Sequence, residues 1–204
     1  DQIVVSCGAK HSLYNVLQVL VEEGDEVIIP APYWLSYPEM VTLAGGTSVI
    51  LETHFKDGYR PSPQALEKLI TKKTKVLMLN SPSNPTGAVI PKELLKEIAQ
   101  IAKKHSFFIL SDEIYEKLIY DGGKHESIGA LDPEILSRTI TVGGASKAYA
   151  MTGWRLGFAA ASKPVADACA SLQSHSTSNP TSFAQVAYLE ALRKGEADVQ
   201  KMRA

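Results

Sequence analysis

The chain has 204 residues, 45% of them hydrophobic and 21% charged, and its 21 basic and 22 acidic side chains leave a formal net charge of −1. That is enough apolar material for one domain with a sizeable core, and the absence of a dominant basic patch excludes the electrostatic footprint of a nucleic-acid binder. The longest apolar runs, such as VLMLN and FFIL, are far too short to span a bilayer, so neither nucleic acid nor membrane is expected as a partner.

In chain order, Asp1 and Gln2 lead into a β-rich run at 3–6 (IVVS), and SCGAKHSLYNVL then passes from strand to helix through small residues. Such a junction offers free backbone N–H groups and a positive dipole end to an anion; Gly-Ala also serves plain strand–helix packing. It lacks both GxxxxGK[ST] and GxGxxG, so nucleotide binding is not supported. Cys7 and Cys169 have no metal-type spacing and lie among small and apolar neighbours. Buried thiols in a reducing, cytosolic setting are expected, with no metal site.

The next β run, 26–30, ends in APYWLSY, which puts Tyr33 and Trp34 at a strand end. Such a pair is either core or a stacking surface for a flat aromatic ligand. Further runs follow at 47–52 and 74–80; between them SPQALEKLI (62–70) offers Ser62 as a helix cap and Pro63 at the first helical position. NSPSNPTG (80–87) holds Pro82, Pro85 and Gly87, which make either a simple turn or a stiff mount for Asn84. Residues 91–105 form the clearest helix, with Pro91 in its first turn and Leu94, Leu95, Ile98, Ile101 and Ala102 on one face.

The run 107–113 carries Asp112 at its end. A carboxylate there is costly without a partner, which is either the following turn or a protonated ring nitrogen. Tyr115, three residues on, would share one side of a helical turn. Strands at 138–144 and 155–161 follow, and a single helix is expected from 182 to 204.

Seven strands interleaved with helices predict an undivided α/β domain: a three-layer sandwich with a mostly parallel seven-stranded sheet. In such sheets ligands sit beyond the carboxyl ends of the strands, here the loops at 7–10, 31–34, 80–87, 111–115 and 143–147. The last of these leads into ASKAYAMTGWR, with Lys147 and Arg155 in a small and apolar setting. Desolvation there would favour a neutral amine able to attack a carbonyl, and arginine offers a planar fork for a dianion. Each cation alone also reads as a snorkelling surface residue; the five loops together point to an aldehyde-binding lysine with a phosphate clamp.

SPSNPTG, SDEIY and SKAYAMTGWRLG, in this order and spacing, resemble the class I aminotransferases among the fold-type I pyridoxal-phosphate enzymes, and the likeness covers essentially the whole chain. APYW, SYPEM and MTGWR bring it nearest to the bacterial and plant branch of aspartate and prephenate aminotransferases. The resemblance implies that Lys147 forms a Schiff base with pyridoxal 5′-phosphate and shuttles the substrate proton. It implies that Asp112 pairs with the pyridinium nitrogen and keeps the ring an electron sink. Tyr115 and Asn84 would bond the ring oxygen, Asn84 also touching the substrate carboxylate, and Trp34 would stack on the ring beside the substrate. Gly8, Ala9 and Lys10 match the phosphate cradle, and Arg155 the phosphate-binding arginine. An amino acid, aspartate or a related acid, and a 2-keto acid would be the substrates, in a cytoplasmic homodimer with residues 173–181 near the shared site.

Two positions depart from the pattern. Gly144 stands where many relatives carry a phosphate-binding serine, with Ser146 next to the lysine instead. Ser174 stands four residues before SNP (178–180), where animal-type aspartate enzymes hold a dicarboxylate with arginine, and His175 beside it reads as solvated. The resemblance also implies a protein about twice this length. Residues 1–204 are therefore expected to be the cofactor-binding large domain, both ends continuing, the N-terminal segment and the small domain with its α-carboxylate arginine lying elsewhere. Other readings are a β-lyase or decarboxylase on the same scaffold, a ligand-sensing domain of a regulator, and an inactive fragment.

Overall fold

Along the strand Thr74–Asn80, Val76 and Met78 face one apolar layer and Leu77 and Leu79 the other. This two-sided burial is what a central strand under helices on both faces requires. The computed structural model describes the whole chain, Asp1–Ala204, and builds one sheet. Its strands are β1 (Ile3–Ser6), β2 (Glu26–Ala31), β3 (Thr47–Glu52), β4 (Thr74–Asn80), β5 (Phe108–Asp112), β6 (Thr139–Gly144) and β7 (Gly157–Ala160), in the order β1-β7-β6-β5-β4-β2-β3. The expected seven strands are all present, with ends moved by no more than two residues.

From β3 to β6 every pairing is parallel, whereas β7 runs antiparallel to both β6 and β1. Six strands therefore end at one edge of the sheet, and β7 begins there. That single reversal carries the segment before β7 to the same edge as the loop after β6.

The helices are α1 (Ala9–Leu20), α2 (Ser36–Leu43), α3 (Pro63–Leu69), α4 (Lys92–His105), α5 (Pro133–Arg138), α6 (Lys163–Ser174), α7 (Ser182–Lys194) and α8 (Glu196–Arg203). Leu13, Leu17, Val41 and Val165 from α1, α2 and α6 close one face of the sheet over Val27, Ile29, Leu110 and Val142. Leu66, Leu95, Ile98 and Ile135 from α3, α4 and α5 close the other over Ile28, Leu77 and Ile109. Ser62 caps α3 as its sequence predicts, its Oγ accepting from the Ala65 N–H at 3.3 Å. Pro91 is the residue before α4 rather than within its first turn.

The single helix expected over 182–204 is corrected to two, α7 and α8, broken at Gly195, the residue of that run least able to sustain a helix. Cys169 is buried, which pushes its thiol up to about 11, while Cys7 is only half-buried. No helix is long and apolar enough to cross a membrane.

Candidate functional site

The loops at the shared strand edge enclose a cavity of about 200 Å³. In one corner the start of a helix meets a guanidinium, a setting that favours an anion. After β1 the chain turns at Gly8 into α1, whose first N–H groups lack intrahelical acceptors. Gly8 lies against the guanidinium of Arg155, whose Cζ is 3.0 Å from where a Gly8 side chain would begin. The approach depends on Gly157, where a Cβ would collide with the backbone N of Ala9 and stand 2.5 Å from the Gly8 carbonyl carbon. Arg155 Nη1 donates to the Thr152 carbonyl at 2.7 Å, which braces the fork beside the helix end. Ser146 and Thr152 line the same cavity. Ser146 thus supplies a hydroxyl that position 144 could not: a side chain on Gly144 would begin 2.7 Å from the Leu156 carbonyl.

Lys147 stands at the rim. Its neighbours Ala145, Ser146 and Ala148 are buried, but Lys147 itself is exposed. The desolvation expected from its small neighbours is therefore not found: they pack beneath the loop, and the amine projects over the cavity, 5.7 Å from the Tyr115 ring centroid.

The floor is Asp112, only 3% exposed. Its Oδ2 accepts from the Tyr37 hydroxyl at 2.7 Å and its Oδ1 from the Ile114 N–H at 3.2 Å. Burial lifts the carboxyl to about 6; the two hydrogen bonds hold it down only in part, and the neighbouring Glu113 charge adds to the rise. Tyr37 is pushed well up by burial and by the charge beneath it. Asp112 forms no ion pair within the chain, so a cationic ligand group would relieve its desolvation.

Asn80 sits beside Asp112 in the β4–β5 register. Its amide donates to the Asp112 carbonyl at 2.9 Å, and its Oδ1 accepts from the Asn84 N–H at 2.7 Å, which fastens the NSPSNPTG loop to β5. Burial and the Asp112 charge raise the proton affinity of the Tyr115 phenol, and the nearby Asn84 side chain restrains the rise. Tyr115 stands in a succession of turns after β5, not on the helical turn expected. Trp34 packs on the first core layer and also lines the cavity, edge-on to Tyr37 at 5.5 Å, with Lys10 Nζ 4.7 Å from its ring centroid.

The structure therefore brings Ala9, Lys10, Trp34, Asn84, Asp112, Tyr115, Lys147 and Arg155 around one cavity, with Gly8 directly behind Arg155. Ser174 and His175 are exposed at the end of α6, away from its lining. Tyr37 and Asn80 are additions that the sequence reading missed. Asn80 carried the same signal as Asp112, a polar residue closing an apolar strand. Tyr37 lies within SYPEM, which marks the resemblance but does not point to Asp112 as its partner. An amine, a dianion corner and a buried carboxylate match a ligand with a carbonyl, a phosphate and a basic ring nitrogen.

The family profile described as aminotransferase class I and II matches residues 1–204. The chain belongs to this aminotransferase family. Among curated aminotransferases, it is 49% identical over 203 residues to the aspartate aminotransferase of Bacillus sp. (strain YM-2), covering 100% of this chain and 52% of that protein. It is 50% identical over 197 residues to the aspartate/prephenate aminotransferase of Thermus thermophilus, covering 97% and 50%. The solved structure of the Thermus thermophilus aspartate aminotransferase with maleate superposes with a TM-score of 0.95 at 48% identity, over 99% of this chain and 53% of that one. An aromatic aminotransferase from Pyrococcus horikoshii OT3 gives 0.96 at 42% identity, over 99% and 54%. The chain spans about half the length of the curated aminotransferases it matches.

Proposed function

We propose that this chain is the cofactor-binding large domain of a pyridoxal-phosphate-dependent aminotransferase that moves an amino group between an amino acid, aspartate or a related acid, and a 2-keto acid. The observation that carries the reading is the gathering of Lys147, buried Asp112 and the Arg155–α1 corner around one cavity, in a chain of this family. Lys147 would hold the cofactor's carbonyl carbon and Asp112 its ring nitrogen. Tyr115 and Asn84 would hold its ring oxygen, Trp34 its face, and Arg155 with the N–H groups of Ala9 and Lys10 its phosphate, assisted by Ser146; Gly8 makes the turn, its own N–H donating to the Ser6 carbonyl at 2.7 Å. When bound, the cofactor supplies an electron sink for the bond broken at the substrate's α-carbon.

The chain's own residues do the rest. Freed when the substrate's amine takes its place, the Lys147 amine would take a proton from the substrate's α-carbon and deliver it two atoms away, across the intervening nitrogen, a general base held at the open rim. Asp112, kept from water, fixes a positive charge at the floor. Tyr37 orients that carboxylate, while Asn80 sets where Asn84 meets Tyr115. Trp34 and Asn84 also flank the substrate. The arginine for the substrate α-carboxylate and the gating segment are assigned to chain beyond these residues. With Ser174 at the α6 end, a second carboxylate would be held by some other group. The resemblance extends the reading to a cytoplasmic homodimer with residues 173–181 near the shared site.

The test is incubation of the full-length protein with pyridoxal phosphate, aspartate and 2-oxoglutarate. Oxaloacetate and glutamate formed in equal amounts are expected. A keto acid released without glutamate would replace amino transfer by another reaction at the same site, and no turnover of any amino acid would overturn the enzyme reading.

A further inference from the structure

Asp112 has a buried carboxylate as its neighbour. Ile109 and Ser111 face the layer formed by α3, α4 and α5, and Glu113 joins Ser111 on that side, opposite Asp112. Glu113 is 5% exposed and does not line the cavity. Its Oε1 accepts from the Ser111 and Ser127 hydroxyls, each at 2.8 Å, its Oε2 lies 2.7 Å from His125 Nε2, and its N–H donates to the Val142 carbonyl at 2.8 Å. The residue after Asp112 is thereby tied to its own strand, to β6 and to the 119–128 segment. Nothing in the proposed reaction uses this carboxylate, yet a buried charge is retained only when it is compensated.

The compensation is His125. Its Nδ1 is buried without a protein partner, so Glu113 is the one group hydrogen-bonded to the ring. Burial works against the imidazolium, but the Glu113 carboxylate outweighs it, with Glu116 and Glu126 acting in the same direction, and the proton affinity is raised. Other charges on the flanking segments are engaged elsewhere or lie outside this cluster: Lys92 pairs with Glu126 at 3.5 Å, Lys117 bonds Glu196 at 2.8 Å, Lys96 bonds Glu93, and Asp121 and Lys124 are exposed.

We propose that Glu113 is a positioning residue for Asp112, and that His125, held on Glu113, supplies the counter-charge that lets Asp112 ionise beside it. A like charge one residue away opposes ionisation of Asp112, and an imidazolium on Glu113 offsets part of that opposition. The inference rests on the proposed use of Asp112 to hold a cationic ring nitrogen, which needs the ionised form, but its test needs no cofactor.

The experiment is a carboxyl-carbon NMR titration of the chain without added cofactor, the Asp112 signal being identified by its loss in Asp112→Asn. The parent is expected to titrate at about 6. Glu113→Gln should move that midpoint down, and His125→Gln up, each by about half a pH unit. A merely packing role predicts no shift, or shifts of one sign in both variants, and either result would overturn the proposal. If Glu113→Gln does not fold, His125→Gln decides alone: an upward shift supports the proposal, an unchanged or lower midpoint overturns it. Failure of the protein to bind pyridoxal phosphate would sink the functional reading and leave these titrations standing.

Discussion

The floor and the rim of the cavity are governed differently. At the floor, Asp112 is shut from water and bound by Tyr37 and Ile114, so its chemistry is set by the folded chain itself. At the rim, Lys147 and Arg155 are exposed, and their chemistry is left to whatever occupies the cavity. The lesson is a division of labour: the fold commits energy to a buried anion and leaves its cations free to meet a ligand. Floor substitutions should therefore alter stability and chemistry together, and rim substitutions function alone.

The largest effect should come from the rim. Lys147→Ala removes the amine that stands beside Tyr115 over the cavity, and turnover by the full-length protein should fall by roughly 10⁴-fold. Because the side chain is exposed, unfolding free energy should stay within about 0.5 kcal/mol. A large stability loss would break the contrast.

Asp112→Asn should lower turnover by roughly 10²–10³-fold and, unlike the rim change, stabilise the cofactor-free chain. The sign follows from linkage. The folded carboxyl sits at about 6, above its ordinary 3.8, so the folded state holds the extra proton and the parent loses stability as pH rises through that window. The variant should gain about 1–3 kcal/mol over the parent at pH 7, with most of the gap gone below pH 4. Urea unfolding across pH 3.5–8 reads this directly, and a gap independent of pH would refute the assignment of the window to Asp112.

How far this division was legible in the sequence depends on the range of each signal. The strand-end loops announce themselves locally, through Gly8, the prolines of NSPSNPTG, and Asp112 at the end of an apolar run. The Tyr37–Asp112 bond joins residues 75 positions apart, so the stretch around Tyr37 does not reveal its partner. The exposure of Lys147 was misjudged because small neighbours do not say which way a side chain leaves a loop. The reversal of β7, which brings Arg155 to the site, is a matter of strand pairing and not of any one segment's pattern.

Two smaller changes sharpen the contrast. Arg155→Lys keeps the charge but loses the fork, and should weaken pyridoxal phosphate binding by roughly 10–100-fold, measured by spectroscopic titration, with stability unmoved. Tyr37→Phe acts at the floor. It removes a bond that holds the Asp112 carboxyl down, so the Asp112 midpoint should rise above about 6, with a stability cost near 1 kcal/mol by urea unfolding. A lowered midpoint would contradict the bond's assigned direction.

The most direct test of the central claim is to treat the protein with pyridoxal phosphate, fix any attachment with borohydride, and map the peptides by mass spectrometry. The account predicts one stoichiometric modification, on Lys147, abolished by Lys147→Ala. Modification spread over the surface lysines, or centred on Lys10, would contradict it.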